Sequence, residues 1–227
     1  MMAVTTSADD LGAGAAAPWT GDLLVRRLGK VAYEPTWRAM QAFTEDRTRE
    51  TADEIWFAEH PPVYTLGLNA SREHLLATGD IPVVAIDRGG QVTYHGPGQL
   101  LVYVLVDIRR SRLGVRELVI ALEQAVIAYV AQFGIVAVAR REAPGVYVDG
   151  AKLASVGLRV RRGASYHGLA LNVALDLEPF QRINVCGYPG LTVVRLLDLC
   201  GLGDLDAVAD GIEPHLRREL TARGRAR

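Results

Sequence analysis

The chain has 227 residues, of which 25 are basic and 26 acidic, for a formal net charge of −1, and 49% are apolar. One domain with a sizeable core fits this length, and the absence of a basic surplus argues against a general nucleic-acid binder. Two cysteines, Cys186 and Cys200, exclude a disulfide framework and suit a reducing cytoplasm. No window of about 20 residues lacks charge, so no membrane-spanning helix is expected.

Residues 1–20, rich in Ala and Gly, read as a flexible tail ahead of a single domain at 21–223. Leu23 to Leu28 reads as a first strand and Pro35 to Glu50 as helical, with Trp37, Met40 and either Phe43 or Thr44 on one side. Glu54–Glu59 and Val63–Leu66 read as short strands, and Pro82–Ile86 as a buried one. The run Arg88 to Leu100, RGGQVTYHGPGQL, puts four glycines and a proline among bulky polar side chains. Glycine permits positive φ and close backbone approach to a ligand, so this stretch suits a pocket wall anchored by the apolar run Leu100–Ile108. Val115 to Phe133 is the clearest helix, with apolar residues at three- and four-residue steps and Gly134 at its end. Gly145–Val148, Asp149-Gly150 and Leu153–Val160 read as a hairpin, followed by a turn at Arg161–Ala164 and a strand at Tyr166–Val173. Asp204–Ala222 reads as a terminal helix. Long helices beside antiparallel hairpins indicate one α+β domain with a mixed, mainly antiparallel sheet.

Cys186 lies in NVCGYPG, a glycine and proline turn that can expose its sulfur. A thiolate there could attack a carbonyl, although a free cysteine is commonly just a small buried hydrophobe. Cys200, after a leucine-rich stretch, reads as core or helix end. Lys152 opens a strand, where a lysine is ordinarily solvated; held inside a pocket instead, desolvation would lower its pKa and suit it to proton transfer. The five histidines His60, His74, His95, His167 and His215 show no metal-ligand spacing, and neither a Walker-type nor a dinucleotide glycine loop is present.

Taken together, RGGQVTYHGPGQL, GVYVDGAKLASVGLRV (Gly145 to Val160), YHGLALNV (Tyr166 to Val173) and INVCGYPG (Ile183 to Gly190) resemble the lipoyl(octanoyl) transferase family, with support from HPPVYTLGLNA (His60 to Ala70). The chain departs from the family pattern at Val185, where proline is usual, at Tyr103-Val104 for Tyr-Pro, and at Val193-Val194 for Val-Thr. The resemblance implies the biotin/lipoate protein ligase catalytic fold. It implies transfer of an octanoyl group from acyl carrier protein to a lysine of lipoyl domains, in 2-oxo acid dehydrogenases and the glycine cleavage H protein. The route would be a Cys186 thioester, with Lys152 as its partner in catalysis, no cofactor and no metal. It also implies a cytoplasmic monomer. The substrate-contact segments carried over are Arg88, Gly89, Gly90, Gln91, Val92, Thr93, Tyr94 and His95; Ser155, Val156 and Gly157; and Gly168, Leu169 and Ala170. Arginines 109, 110, 112, 159, 161 and 162 are candidates for steering the acidic carrier. Two rivals remain: an ATP-dependent lipoate or biotin ligase, and a non-catalytic module that docks the acyl carrier.

Overall fold

Strand β6 (Gln99–Leu105) has all 7 of its residues buried, as expected of an apolar run covered on both faces. A computed structural model describes residues 22–225, so the tail at 1–20 lies outside the described residues. β6 runs antiparallel to β2 (Asp53–Glu59) and to β10 (Ala164–Asn172). β1 (Leu23–Lys30) adds to β2 in parallel. Beyond β10 lie β9 (Ala151–Arg161), β8 (Gly145–Val148) and β7 (Val138–Ala139), giving the seven-stranded order β1-β2-β6-β10-β9-β8-β7.

Successive residues on a strand face opposite sides, so β6 divides its side chains between two cores. Val102 and Val104 join Ile55, Phe57 and Leu171 beneath Leu118, Leu122 and Val126 of α2 (Val115–Ala131) and Ile212 and Leu216 of α4 (Leu205–Arg225). Leu101, Tyr103 and Leu105 meet Trp56, Tyr166 and Met40 of α1 (Tyr33–Glu45) on the other face. Each fully buried side chain of this size contributes about 1.5–3 kcal/mol. α2 closes at Gly134, whose φ is +75°, with the Ile135 N–H reaching back to the Val130 carbonyl at 3.3 Å. This is the left-handed closure that a glycine at this point favours. Cys200 ends the short α3 (Leu196–Cys200), half-buried against the larger core, in line with its reading as a helix end.

A second sheet, β4-β3-β5, lies over the α1 side. It comprises β3 (Val63–Leu66), β4 (Val83–Ala85) and β5 (Val92–His95). Here one expectation is corrected: Pro82–Ile86 is not a buried strand but a three-residue edge strand with Ala85 exposed, because only one neighbour pairs with it. The segments Glu178–Arg182 and Val185–Gly187 form single 3₁₀ turns beneath this sheet, packing Phe180, Ile183 and Val185 on Tyr64, Val92 and Tyr94. No helix among the described residues is long and apolar enough to cross a membrane.

Candidate active site

Between the two sheets lies a cavity of about 400 Å³. Every substrate-contact residue expected from sequence lines it except Tyr94. Tyr94 packs instead on Tyr64 and Phe180 beneath the small sheet. The reason is alternation: on β5, Thr93 and His95 face the cavity, so Tyr94 between them must face away.

Cys186 and Lys152 meet at one end of this cavity. The lysine is the second residue of β9 and is only 1% exposed, so it is not the solvated edge residue its position suggests. The Lys152 N–H donates to the Thr192 carbonyl (2.8 Å), and the Val194 N–H donates to the Lys152 carbonyl (3.0 Å). These bonds clip the segment that follows the cysteine turn onto β9. The Asn184 N–H bonds the His74 carbonyl at 2.9 Å and fixes the turn's other end. Cys186 itself takes a left-handed conformation, φ +55°, uncommon for a residue other than glycine.

The Lys152 Nζ donates to Cys186 Sγ at 3.1 Å, to the Tyr147 hydroxyl oxygen at 3.1 Å and to the Pro144 carbonyl at 3.3 Å. Three acceptors match the three protons of an ammonium. The Tyr147 O–H itself donates to the Ala143 carbonyl at 2.7 Å. Burial pushes the Lys152 pKa down, but Cys186 and Tyr147 together outweigh burial and hold it above the ordinary lysine value. The depressed pKa expected from a buried lysine is thus corrected: in the resting site the sulfur keeps the proton on nitrogen.

Room for this lysine comes from Gly145, at φ +146°. A Cβ there would lie 2.3 Å from the Ala154 carbonyl oxygen, 2.9 Å from Lys152 Cε and 3.2 Å from Nζ. Gly145→Ala is therefore expected to displace the ammonium and lower kcat by about 10²-fold, the scale of an ångström-sized misplacement. Steady-state kinetics would check it, and a wild-type kcat would mean the fit is loose. The Gly145 N–H in turn donates to Glu123 Oε1 at 2.8 Å. Glu123 is a buried carboxylate on α2, and nothing in the helical pattern marked it as belonging to the site.

A chain of oriented hydrogen bonds runs behind the cavity. Arg88, buried, donates from Nη2 to the Thr65 carbonyl and to Thr65 Oγ1, each at 2.9 Å, and from Nη1 to the Gly89 carbonyl at 3.0 Å. Thr65 Oγ1 lies 3.3 Å from His95 Nε2, and His95 Nδ1 lies 2.7 Å from Gln99 Oε1. Gln99 Nε2 donates to Asn172 Oδ1 at 2.9 Å, and Asn172 Nδ2 donates to the carbonyls of Val194 (3.1 Å) and Lys152 (3.4 Å). Burial lowers the His95 pKa to about 3, so this imidazole stays neutral and holds the wall in place.

A second carboxylate, Asp87, gathers four donors: Trp37 Nε1 at 2.8 Å, His167 Nε2 at 2.9 Å, Gln41 Nε2 at 3.0 Å and the Tyr166 hydroxyl. Burial would raise its pKa, yet these donors hold it well below the usual carboxylate range. Tyr166 and His167 are consecutive on β10 and should point apart. The left-handed φ of His167, +61°, breaks the alternation and brings both to one carboxylate. Such a residue costs about 1–3 kcal/mol and persists only where its surroundings enforce it.

Of the arginines expected to steer a partner, Arg110 bonds Asp53 at 2.9 Å and two backbone carbonyls, and Arg161 pairs with Glu45 at 2.7 Å. These two hold the fold locally.

Residues 32–216 match the lipoyl protein ligase A/B catalytic domain family. The chain is 65% identical over 177 residues to an octanoyltransferase of Thiobacillus denitrificans, covering 78% of this chain and 81% of that one. It is 57% identical over 198 residues to an octanoyltransferase of Chromobacterium violaceum, covering 87% and 96%. The chain belongs to the octanoyltransferase family. It is accordingly an enzyme of the acyltransferase class. In fold it is similar to lipoate-protein ligase A bound with ATP (TM-score 0.69, 16% identity, 87% and 84% of the two chains). It is also similar to a T. acidophilum lipoate protein ligase with bound lipoic acid (TM-score 0.70, 15% identity, 87% and 85%). The biotin protein ligase of Aquifex aeolicus shares the fold more distantly, with a TM-score of 0.55 at 11% identity over 90% and 71% of the chains. The mixed sheet flanked by helices is thus the ligase catalytic fold.

Proposed function

We propose that this enzyme moves an octanoyl group from acyl carrier protein to a specific lysine of lipoyl domains, through a thioester on Cys186. The observation that carries the reading is the 3.1 Å contact of Lys152 Nζ with Cys186 Sγ in the wall of the cavity between the two sheets. In the first half-reaction the Cys186 thiolate attacks the donor thioester carbonyl, and the carrier sulfur leaves as a thiol, taking the proton of the Lys152 ammonium, which becomes the neutral amine. One thioester replaces another, at little cost in free energy. In the second half the acceptor amine attacks the Cys186 thioester, the sulfur departs, and an amide forms. Thioester to amide is downhill, so no nucleotide is required. Leu101, Tyr103 and Ala170, which line the cavity from the α1 face of the large sheet, take up the hydrocarbon at about 0.8 kcal/mol per buried methylene.

The tetrahedral intermediate needs N–H donors. The amides of Gly187 and Tyr188 are spent within the cysteine turn, on the carbonyls of Asn184 (2.9 Å) and Val185 (3.0 Å), so the donors lie elsewhere. The enzyme is proposed to act as a cytoplasmic monomer, on lipoyl domains of 2-oxo acid dehydrogenases and of the glycine cleavage H protein.

The test is an intact-mass spectrum after mixing with octanoyl-carrier protein and no acceptor. The expected result is a gain of one octanoyl group that hydroxylamine removes and that Cys186→Ser fails to show as a hydroxylamine-labile thioester. Octanoylation of a lipoyl domain that instead required ATP and free octanoate would overturn the reading in favour of a ligase.

A further inference from the structure

Glu123, in the middle of α2, is only 5% exposed, and no step of the transfer uses it. A carboxylate so placed is costly unless it is hydrogen-bonded. Its partner is backbone: the Gly145 N–H donates to Glu123 Oε1 at 2.8 Å. That N–H belongs to the same planar peptide as the Pro144 carbonyl, and this carbonyl accepts from Lys152 Nζ at 3.3 Å. Glu123 and Lys152 thus hold the two ends of one peptide unit, the carboxylate at its N–H and the lysine at its C=O. Hydrogen bonds in such a series strengthen one another.

The local backbone makes this anchor necessary. Gly145 sits at φ +146°, and glycine turns about this bond more freely than any other residue. Its own torsion therefore does not keep the Pro144 carbonyl aimed at the lysine, and the bond to Glu123 does. Burial raises the Glu123 pKa, while the Gly145 N–H and the Lys152 charge pull it back.

The direction of that carbonyl matters most in the second half-reaction. An ammonium has three N–H bonds and acts on the sulfur mainly by charge, which has no preferred direction. The neutral amine left after the carrier thiol departs has two N–H bonds and one lone pair, at tetrahedral angles. The Tyr147 hydroxyl oxygen, at 3.1 Å, and the Pro144 carbonyl, at 3.3 Å, take the two N–H bonds. The Tyr147 oxygen can only accept here, because its own proton goes to the Ala143 carbonyl. The direction left over is that of Cys186 Sγ, 3.1 Å away, where the acceptor amine must meet the thioester.

We propose that Glu123 is a positioning residue for transfer from Cys186 to the acceptor: by holding the Pro144–Gly145 peptide, it turns the lone pair of the Lys152 amine toward the thioester. The inference rests on the acyl-transfer reading above.

The experiment measures the two half-reactions separately by rapid quench and intact mass: acylation by octanoyl-carrier protein, and deacylation of the isolated octanoyl-enzyme by a lipoyl domain. Glu123→Asp keeps the charge but draws the oxygen back by one methylene. Glu123→Gln loses the charge but keeps an oxygen at the same reach. In Glu123→Asp deacylation is expected to fall about 10–10²-fold, the scale of a misplaced catalytic group, with acylation changed about threefold or less. Glu123→Gln is expected to recover most of the lost rate, since its amide oxygen can accept the same bond. Glu123→Met, which removes the acceptor at similar volume, should match Glu123→Asp and replaces it should that variant not fold. Equal slowing of both half-reactions, deacylation of Glu123→Asp at the unmodified rate, or a Glu123→Gln as slow as Glu123→Asp would overturn the proposal. Those results would leave the transfer reading standing, whereas absence of any octanoyl adduct on the unmodified enzyme would remove that reading and this proposal with it.

Discussion

Lys152→Met is expected to slow amide formation from the acylated enzyme by about 10²–10⁴-fold, the range for loss of a positioned acid–base group. Methionine nearly fills the lysine's volume and leaves the Tyr147 bond to the Ala143 carbonyl (2.7 Å) in place, so the wall should keep its shape. The effect is chemical, and its pH dependence can be worked out. In the resting enzyme Cys186 and Tyr147 overcome burial and keep Lys152 protonated above the ordinary lysine range. There the ammonium is placed, 3.1 Å from the sulfur, to act as counter-ion when a thiolate forms. Acylation makes the sulfur neutral and removes one of the causes that raise the pKa. Burial, which lowers it, remains. The pKa therefore falls when the thioester forms, and the amine becomes available to take a proton from the attacking lysine. Deacylation should rise with pH through an apparent pKa below that of Lys152 in the free enzyme, and that limb should vanish in Lys152→Met. Rapid-quench measurement of octanoyl-enzyme mixed with a lipoyl domain reads both. A variant that deacylates at the unmodified rate would exclude a proton-transfer role.

Cys186→Ala should be more severe, abolishing the covalent intermediate and lowering turnover by roughly 10⁴-fold or more, as when a covalent nucleophile is removed. Folding should hardly change. The residue is only half-buried and already sits at φ +55°, a conformation alanine tolerates no worse than cysteine. Removing its sulfur takes away one of the three Lys152 acceptors, leaving Tyr147 and Pro144. Thermal melts should agree to within a few degrees, while the octanoyl adduct disappears from the mass spectrum. A labile adduct surviving in Cys186→Ala would place the nucleophile on another residue.

Much of the frame was legible in the chain because local rules decide it. The unbroken apolar run of β6 and the three- and four-residue steps of α2 each have one low-energy reading, and the Asp149-Gly150 turn set the β8–β9 hairpin. The glycine-rich segment was legible as a wall for the same reason. What stayed hidden depends on register across distant strands. Lys152 looked like an edge residue because its cover, the 192–194 segment, arrives 40 residues later. Glu123 looked like one more charge on a helix, since only the fold brings it to the Gly145 amide. Asp87 carries no local signature at all. Tyr94 is different: period-two alternation on β5 was enough to turn it away from the cavity, and the motif match overrode that signal. The lysine's pKa was misjudged for a physical reason, because burial was weighed without the Cys186 sulfur and the Tyr147 hydroxyl that the fold brings to 3.1 Å.

The clip between Lys152 and the 192–194 segment also bears on how the chain matures. A polypeptide leaves the ribosome from its N-terminus, and central strand β6 waits for β10 before its second edge is paired. Until Thr192 and Val194 have emerged, the lysine has its hairpin contacts to Tyr147 and Pro144 but not the clip that covers it and carries the segment after the cysteine turn. The contact of Lys152 with Cys186 joins residues 34 apart in the chain. A chain that stops short of residue 192 lacks both bonds of the clip, and with them the tie between the segment after the cysteine turn and β9.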